Sequence, residues 1–160
     1  MTLDDIRKEL GDAAQTVGVA LDEIQLCPDA SDVVGWIDVR EKSLTVYLLS
    51  NGVLHVVRGA RDAQPDQANV NAKAPTECTY SAGLISAQAR WSVKIKRTIG
   101  SVGPPGIIHI WTFRLGKDDR TLEIQHPPPD SPTRRGPDPT SFANALVTEI
   151  LEAQRQERAR

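Results

Sequence analysis

The sequence has little of what marks several large protein classes. Its two cysteines, Cys27 and Cys78, are too few for a disulfide framework, and the acidic segment at the start does not resemble a secretory leader, so we expect both thiols to be free. There is no Cys-x-x-Cys motif and no histidine pair at i, i+4 spacing, which excludes the common metal-site patterns. No apolar run approaches the roughly 18 residues of a membrane-spanning helix. These absences predict a soluble, cytoplasmic protein without a bound metal.

Catalytic motifs are missing too. The three histidines, His55, His109 and His126, each fall within or at the end of a predicted strand, and no Gly-x-Ser-x-Gly nucleophile elbow occurs. No glycine loop ends in the Gly-Lys-Ser/Thr of a phosphate-binding loop. We therefore predict a non-enzymatic protein with no catalytic, cofactor-binding or metal-binding residues. An enzyme with an unfamiliar site near His109 is the least favoured hypothesis.

The composition fits one globular domain, with 39% hydrophobic and 25% charged residues, but the charge is unevenly distributed. Residues 1–41 carry ten acidic against three basic side chains, whereas residues 84–120 carry seven basic against two acidic ones. The two regions either face each other in the fold or form opposite surfaces that would orient a partner.

Hydrophobic periodicity predicts a helix near each end of the chain and strands between them. Apolar residues recur at three-to-four spacing over residues 2–15 and again from Phe142, which is typical of amphipathic helices. Asn51 and Gly52 separate two apolar runs and predict a tight hairpin, because both residues tolerate positive φ. The predicted strands are Val33–Val39, Leu44–Leu49, Val53–Val57, Ile85–Lys96, Ile107–Leu115 and Thr121–His126.

Two segments carry no regular pattern. Residues 61–79 have few apolar side chains and are predicted to form a mobile loop, and the proline-rich residues 127–137 are predicted to form a linker. Asp138 then caps the last helix, with Pro139 as its first residue, and the charged end from Gln154 is expected to fray. The predicted organisation is a helical segment packed on the domain over residues 1–32, a β domain with its C-terminal helix over 33–155, and a frayed tail over 156–160.

The order of these elements resembles the pleckstrin-homology-like (PH-like) barrel. The early Asn51–Gly52 hairpin and the last helix, with Phe142, Leu146 and Ile150 on one stripe, carry the resemblance over roughly residues 33–155. It implies an α+β, mainly antiparallel fold: a bent-sheet barrel of six to seven strands whose open corner is plugged by the C-terminal helix. The N-terminal helix is extra to this pattern.

The resemblance does not bring a ligand site with it. Family members that bind phosphoinositides use a basic motif across their first two strands, where this chain has only Arg40 and Lys42 around Glu41. No lipid-binding residue is therefore carried over. The alternative fold is a single twisted antiparallel sheet with helices on one face, as in secretion-chaperone-like proteins.

The longest predicted strand offers the main candidate site. Its alternation predicts a packed face that includes Trp91, Val93 and Ile95, and a solvated face on the other side. The candidate anion-binding residues on and beside the solvated face are Arg90, Lys94, Lys96 and Arg97. They form a basic line about 20 Å long, which is either an ordinary solvated surface or a binding site.

The function predicted from these features is an interaction domain, such as an adaptor, that binds a protein or peptide. The alternative is binding of an anionic ligand, a lipid headgroup or a nucleic acid, through the basic line of the long strand. A homo-oligomer remains open, and no cofactor is expected.

Overall fold

The computed structural model describes residues 3–10, 33–40, 43–60, 78–98, 106–116, 120–126 and 138–160. The elements are helix α1 (Leu3–Leu10), strands β1 (Val34–Val39), β2 (Ser43–Ser50), β3 (Val53–Ala60), β4 (Cys78–Leu84), β5 (Arg90–Thr98), β6 (Gly106–Arg114) and β7 (Thr121–His126), and helix α2 (Thr140–Arg158). The first four strands form one antiparallel sheet in chain order and the last three form another. The α+β, mainly antiparallel class is confirmed with seven strands, and the single-sheet alternative is wrong for the described strands.

The chain divides into two compact units, Met1–Leu84 and Ile85–Arg160. In the first unit, Asn51 and Gly52 form the two-residue turn between β2 and β3, with φ of 48° and 74°, and Ser50 pairs with Val53 across it. Positive φ at both turn positions matches the right-handed twist of the flanking strands. The predicted hairpin is confirmed.

Strand β2 lies at the centre of the first unit. Its residues alternate between the two faces of the sheet, yet both faces are covered, with Val46 and Leu48 buried on one side and Tyr47 and Leu49 on the other. Helix α1 packs on the Leu48 face. There Ile6 lies so close to Gly35 that a Cβ at position 35 would overlap the Ile6 Cδ1 atom.

Strand β4 is absent from the predicted strands. Residues 78 and 79 belong to the predicted mobile loop, whereas the structure places both in β4. This edge strand carries only small, polar or exposed side chains, from Thr79 to Leu84, so it lacks the apolar alternation that reveals a half-buried strand. Residues 61–77 of the predicted loop, the segments 11–32 and 127–137, and Cys27 lie outside the described residues.

The long strand predicted from Ile85 begins five residues later, at Arg90. Ile85 and Ala89 are buried, but residues 86–89 form a turn, closed by a bond from the Ala89 N–H to the Ser86 carbonyl (2.9 Å). The Arg90 guanidinium donates from Nη1 to the carbonyls of residues 87, 88 and 89, at 3.4, 3.1 and 3.0 Å. These bonds satisfy carbonyl groups of the turn that the sheet does not reach.

The core of the second unit is built from β6, β7 and α2. Trp111 and Phe113 of β6 are buried, and they pair across the sheet with the buried Ile124 and Leu122 of β7. The predicted hairpin between the two strands is confirmed, with the Leu115 N–H donating to the Arg120 carbonyl at 3.0 Å. The buried side chains of α2 are Phe142, Ala143, Leu146 and Ile150.

Helix α2 begins at Thr140, one residue after the predicted first residue Pro139, and it ends later than predicted. The Asp138 carboxylate accepts bonds from the Thr140 N–H (2.9 Å) and hydroxyl (2.5 Å), which caps the helix. The helix then continues to Arg158, past the end of the predicted β domain at residue 155, and Gln154 donates from Nε2 to the Ala89 carbonyl at 3.0 Å. Neither described helix has the length and apolarity needed to cross a membrane.

Candidate functional site

The four predicted anion-binding residues all lie on β5, but on both of its faces. Arg90, Lys94 and Lys96 share one face, and Arg97 lies on the opposite face because neighbouring residues of a strand alternate. Every side chain from Arg90 to Arg97 is exposed. The basic line therefore exists, with one of its four members on the other side of the sheet.

The four bases are not equivalent. The Arg90 Nη1 atom donates hydrogen bonds to the turn carbonyls described above, so this atom stabilises the turn. Within the described part of the chain, no hydrogen bond or ion pair engages the side chains of Lys94, Lys96 or Arg97. These three are the bases that are available to a ligand.

The predicted packed face of the long strand is exposed over β5. The exposed fractions of Trp91, Val93 and Ile95 are 42%, 38% and 66%, and Ile107, which pairs with Arg97, is 56% exposed. The same face is covered over β6 and β7, where Phe113 and its neighbours are buried. The prediction of a packed face is wrong for β5, because the cover that buries Trp111 and Phe113 of β6 does not extend over this strand.

These residues define the β5 edge surface: Trp91, Val93 and Ile95 on one face, Lys94 and Lys96 on the other. β5 pairs with β6 on one side only, and no described strand pairs with its other side. The outer N–H and C=O groups of such a strand are a template for another extended chain. Chemically, the surface can offer main-chain hydrogen bonds, apolar contact and positive charge together.

A groove of about 520 Å³ lies at the beginning of β5, and its lining residues are Ala87, Arg90, Trp91, Gln154, Glu157 and Arg158. One wall of the groove is formed by residues at the beginning of β5 and the other by the last turns of α2. We call it the Arg90–Arg158 groove. The Gln154–Ala89 bond ties these two walls together. The charged side chains that line the groove are Arg90 and Arg158, which are positive, and Glu157, which is negative.

His109, the centre of the least favoured hypothesis, belongs to a second polar cluster in the same unit. It pairs across the sheet with His126 and its ring lies 5.5 Å from the Trp111 ring. The bonds from Thr140 hold the pKa of Asp138 below its usual value, and the charges of His126 and His109 lower that pKa further. Asp138 is thus close enough to both histidines for an electrostatic effect, but its carboxylate already accepts two capping bonds.

The third histidine lies in the first unit. His55 Nδ1 and the Tyr80 hydroxyl share a hydrogen bond of 2.8 Å, with the two rings stacked, and burial lowers the pKa of His55. Cys78 is a free thiol, as predicted, and burial raises the pKa of this thiol, so it is less reactive than an exposed one. Among the described residues, no three histidine, cysteine or acidic side chains come together as a metal site requires.

Sequence reasoning missed the apolar half of the β5 edge surface and most of the groove. The run from Arg90 to Thr98 contains four bases and no acid, which is how natural sheets protect an edge strand, and this signal was available. The sequence predicts a fraying end that includes Gln154, Glu157 and Arg158, because these residues continue no apolar stripe. The absence of glycine and proline after Pro139 was the signal for a longer helix.

Comparison of the chain with protein families, curated proteins and solved structures found no match.

Proposed function

We propose that this protein is an interaction domain that binds an extended, acidic segment of a partner protein by adding it as a strand to β5. The observation that carries the proposal is the β5 edge surface, in which a sheet edge, exposed apolar side chains and unengaged bases coincide. Each feature alone is common on protein surfaces. Their combination on one nine-residue strand is what a strand-adding partner would use.

The chemistry of the partner follows from the pleat. In strand addition, main-chain bonds provide affinity and alternate side chains provide specificity. A segment paired with β5 would place apolar side chains beside Val93 and Ile95, and acidic side chains beside Lys94 and Lys96. Trp91 provides the large aromatic contact that often contributes most of the energy of an interface.

A second copy of this chain is a poor occupant of the same edge. In two β5 strands placed side by side every charged side chain would be basic, because the strand holds Arg90, Lys94, Lys96 and Arg97 and no acid. Like charges directly opposite each other destabilise a strand pair. The bases therefore favour an acidic partner and oppose self-association through β5.

Binding of a lipid headgroup or nucleic acid would use the same bases. It would leave the exposed Trp91, Val93 and Ile95 without a role, since these lie on the face opposite Lys94 and Lys96. A peptide strand would contact the apolar face and the basic face of β5 at the same time. A peptide is therefore the better-supported ligand, and the experiment below distinguishes it from a lipid headgroup or a nucleic acid.

We propose further that the domain is non-enzymatic and PH-like. The succession of four strands, three strands and a C-terminal helix supports the PH-like assignment, because that is the order of elements in the barrel. The Asp138 carboxylate, which lies near His109, is engaged in capping the helix and is a poor candidate for a catalytic base. An experimental structure in which the two sheets pack aligned, rather than orthogonally, would contradict the barrel.

The test of the binding function uses an eight-residue peptide of alternating Glu and Val, labelled with fluorescein at its amino end. We expect saturable binding by fluorescence anisotropy and amide chemical-shift changes concentrated on Arg90–Thr98. The double variant Lys94→Glu/Lys96→Glu should bind about tenfold more weakly, because attraction becomes repulsion on the ligand side. The matched control is Arg155→Glu/Arg160→Glu, which changes the net charge equally at exposed positions of the helix end.

The same titration includes a Lys-Val peptide, anionic vesicles and a single-stranded oligonucleotide. Absence of Glu-Val binding, or equal weakening by the two double variants, would overturn the peptide function. Binding of vesicles or oligonucleotide that disappears with salt and requires Lys94 and Lys96, while the Glu-Val peptide fails, would replace it with the anionic ligand.

A further inference from the structure

We infer that the Arg90–Arg158 groove receives the terminal carboxylate of the partner segment, so that the protein recognises the C-terminal end of a chain. This inference rests on the proposed function, since it assumes a strand added to β5. It adds a direction to the bound segment and assigns a ligand group to a groove that shares only Trp91 with the contacts of the added strand.

The direction follows from the topology. β5 starts at Arg90, next to the groove, and ends at Thr98. Every strand pair among the described residues is antiparallel, and antiparallel pairing is the more stable arrangement. A segment added antiparallel to β5 therefore runs toward Arg90 and ends at the groove with its C-terminus.

The position of the groove allows it to meet such an end. Arg90 and Trp91 are consecutive and belong to opposite faces of the sheet, and both line the groove. Side chains from both faces of the sheet therefore contribute to the groove at the beginning of the strand. The last turns of α2, through Glu157 and Arg158, close its other side.

The charges in the groove are suited to a carboxylate. Arg158 and Arg90 contribute two positive charges and Glu157 one negative charge, so the groove carries a net positive charge that attracts an anion. Guanidinium groups bind carboxylates through paired N–H donors. The turn carbonyls hold Arg90 in position through Nη1 alone, and the remaining donors of its guanidinium group are on Nη2 and Nε.

Arg158 has an alternative, structural role. A base in the last turn of a helix interacts favourably with the helix dipole, and both Arg155 and Arg158 occupy that turn. Arg155 does not line the groove. The two arginines therefore form a matched pair that separates binding of a carboxylate from stabilisation of the helix.

The experiment compares the labelled Glu-Val peptide as a free acid and as a C-terminal amide. We expect the free acid to bind the parent protein about tenfold more tightly, since a charge-assisted pair is lost in the amide. In Arg158→Ala the two peptides should bind alike, and in Arg155→Ala the tenfold difference should remain. Equal binding of acid and amide by the parent, or loss of the difference in both variants, would overturn the inference.

A third peptide, amidated and ending in Glu, distinguishes the two sources of a carboxylate. If it restores tight binding that depends on Arg158, the groove binds an acidic side chain and recognition of the chain end is wrong. Failure of the proposed function has a different signature. In that case neither the acid nor the amide responds to Lys94→Glu/Lys96→Glu, whereas failure of this inference alone leaves that response intact.

Discussion

Strands β2 and β5 are of similar length, eight and nine residues, and lie in opposite environments. β2 has a neighbouring strand on each side, and its last five residues, from Val46 to Ser50, are all buried. β5 has one neighbour, and its residues from Arg90 to Arg97 are all exposed. Polar and apolar residues alternate regularly in β5 and only weakly in β2. An alternating sequence alone therefore does not show that the apolar face of a strand is covered.

The charge along each strand reflects its position better. β2 contains no charged residue, whereas β5 contains four bases. A central strand loses stability for each charge it buries, and an edge strand gains protection from unwanted pairing through its charges. In the second unit the stability therefore resides in β6, β7 and α2, and β5 is left available for binding.

The largest effect on stability is expected in the buried core of the second unit. Leu146→Ala in α2 should lower the free energy of unfolding by about 2–5 kcal/mol, because Leu146 is fully buried and its removal leaves a cavity. Chemical denaturation followed by circular dichroism measures this loss. The control is Leu151→Ala in the same helix, where the side chain is 40% exposed and the change should be much smaller. Equal values for the two variants would show that α2 is not part of the core.

A smaller but substantial effect is expected where α1 meets the first sheet. Gly35→Ala should destabilise the protein by about 1–3 kcal/mol, because the new Cβ would overlap Ile6 Cδ1 and lie 3.0 Å from Leu48 Cδ2. Ile6→Val removes the Cδ1 atom and should relieve part of this loss in the double variant. Gly83→Ala in β4 is the control, since a Cβ there meets no atom within 4 Å. Strictly additive effects of the changes at positions 6 and 35 would contradict the close approach.

The comparison of β2 with β5 is tested most directly by one substitution made in both strands. Val46→Thr should cost about 1–3 kcal/mol, because it places a hydroxyl in a fully buried site. Val93→Thr should change the stability by less than about 0.5 kcal/mol, because Val93 is partly exposed. The midpoints of urea unfolding of the two variants, compared with that of the parent protein, measure both changes in stability. A similar loss in the two variants would mean that β5 is covered in solution.

The smallest effect on stability concerns pH and the half-buried His55 on β3 of the first unit. Burial lowers the pKa of His55, so the unfolded chain binds a proton more readily than the folded one. Stability should therefore decrease as the pH falls below about 6.5, the ordinary value for histidine, and level off below the lowered pKa. In His55→Gln the loss of stability between about pH 7 and pH 5 should be smaller than in the parent. Superimposable pH profiles of the two proteins would refute this contribution.

Much of the fold could be predicted because local signals and tertiary structure agree. The Asn51–Gly52 turn needs only its own two residues, and the Asp138 cap needs only the start of one helix. β4 and the exposure of β5 were not predictable in the same way. Whether a strand lies at an edge depends on which strands pair, and the pairing is decided by residues far apart in the chain.

The candidate site was predicted in the same partial manner. The bases Lys94, Lys96 and Arg97 were found because a charge run is visible in the sequence. The Arg90–Arg158 groove was not found, because its walls are more than sixty positions apart and meet only through contacts such as the Gln154–Ala89 bond. A single sequence carries no signal for that meeting.

The three tryptophans of the molecule give it a built-in optical reporter. Trp36 and Trp111 are buried, whereas Trp91 on the β5 edge surface is exposed, so a soluble quencher such as acrylamide reaches one indole far more readily than the other two. A Stern–Volmer plot of the intrinsic emission should curve downward, as it does for a mixture of accessible and shielded fluorophores. An unlabelled strand bound along β5 would straighten that plot, and Trp91→Phe would straighten it without any ligand.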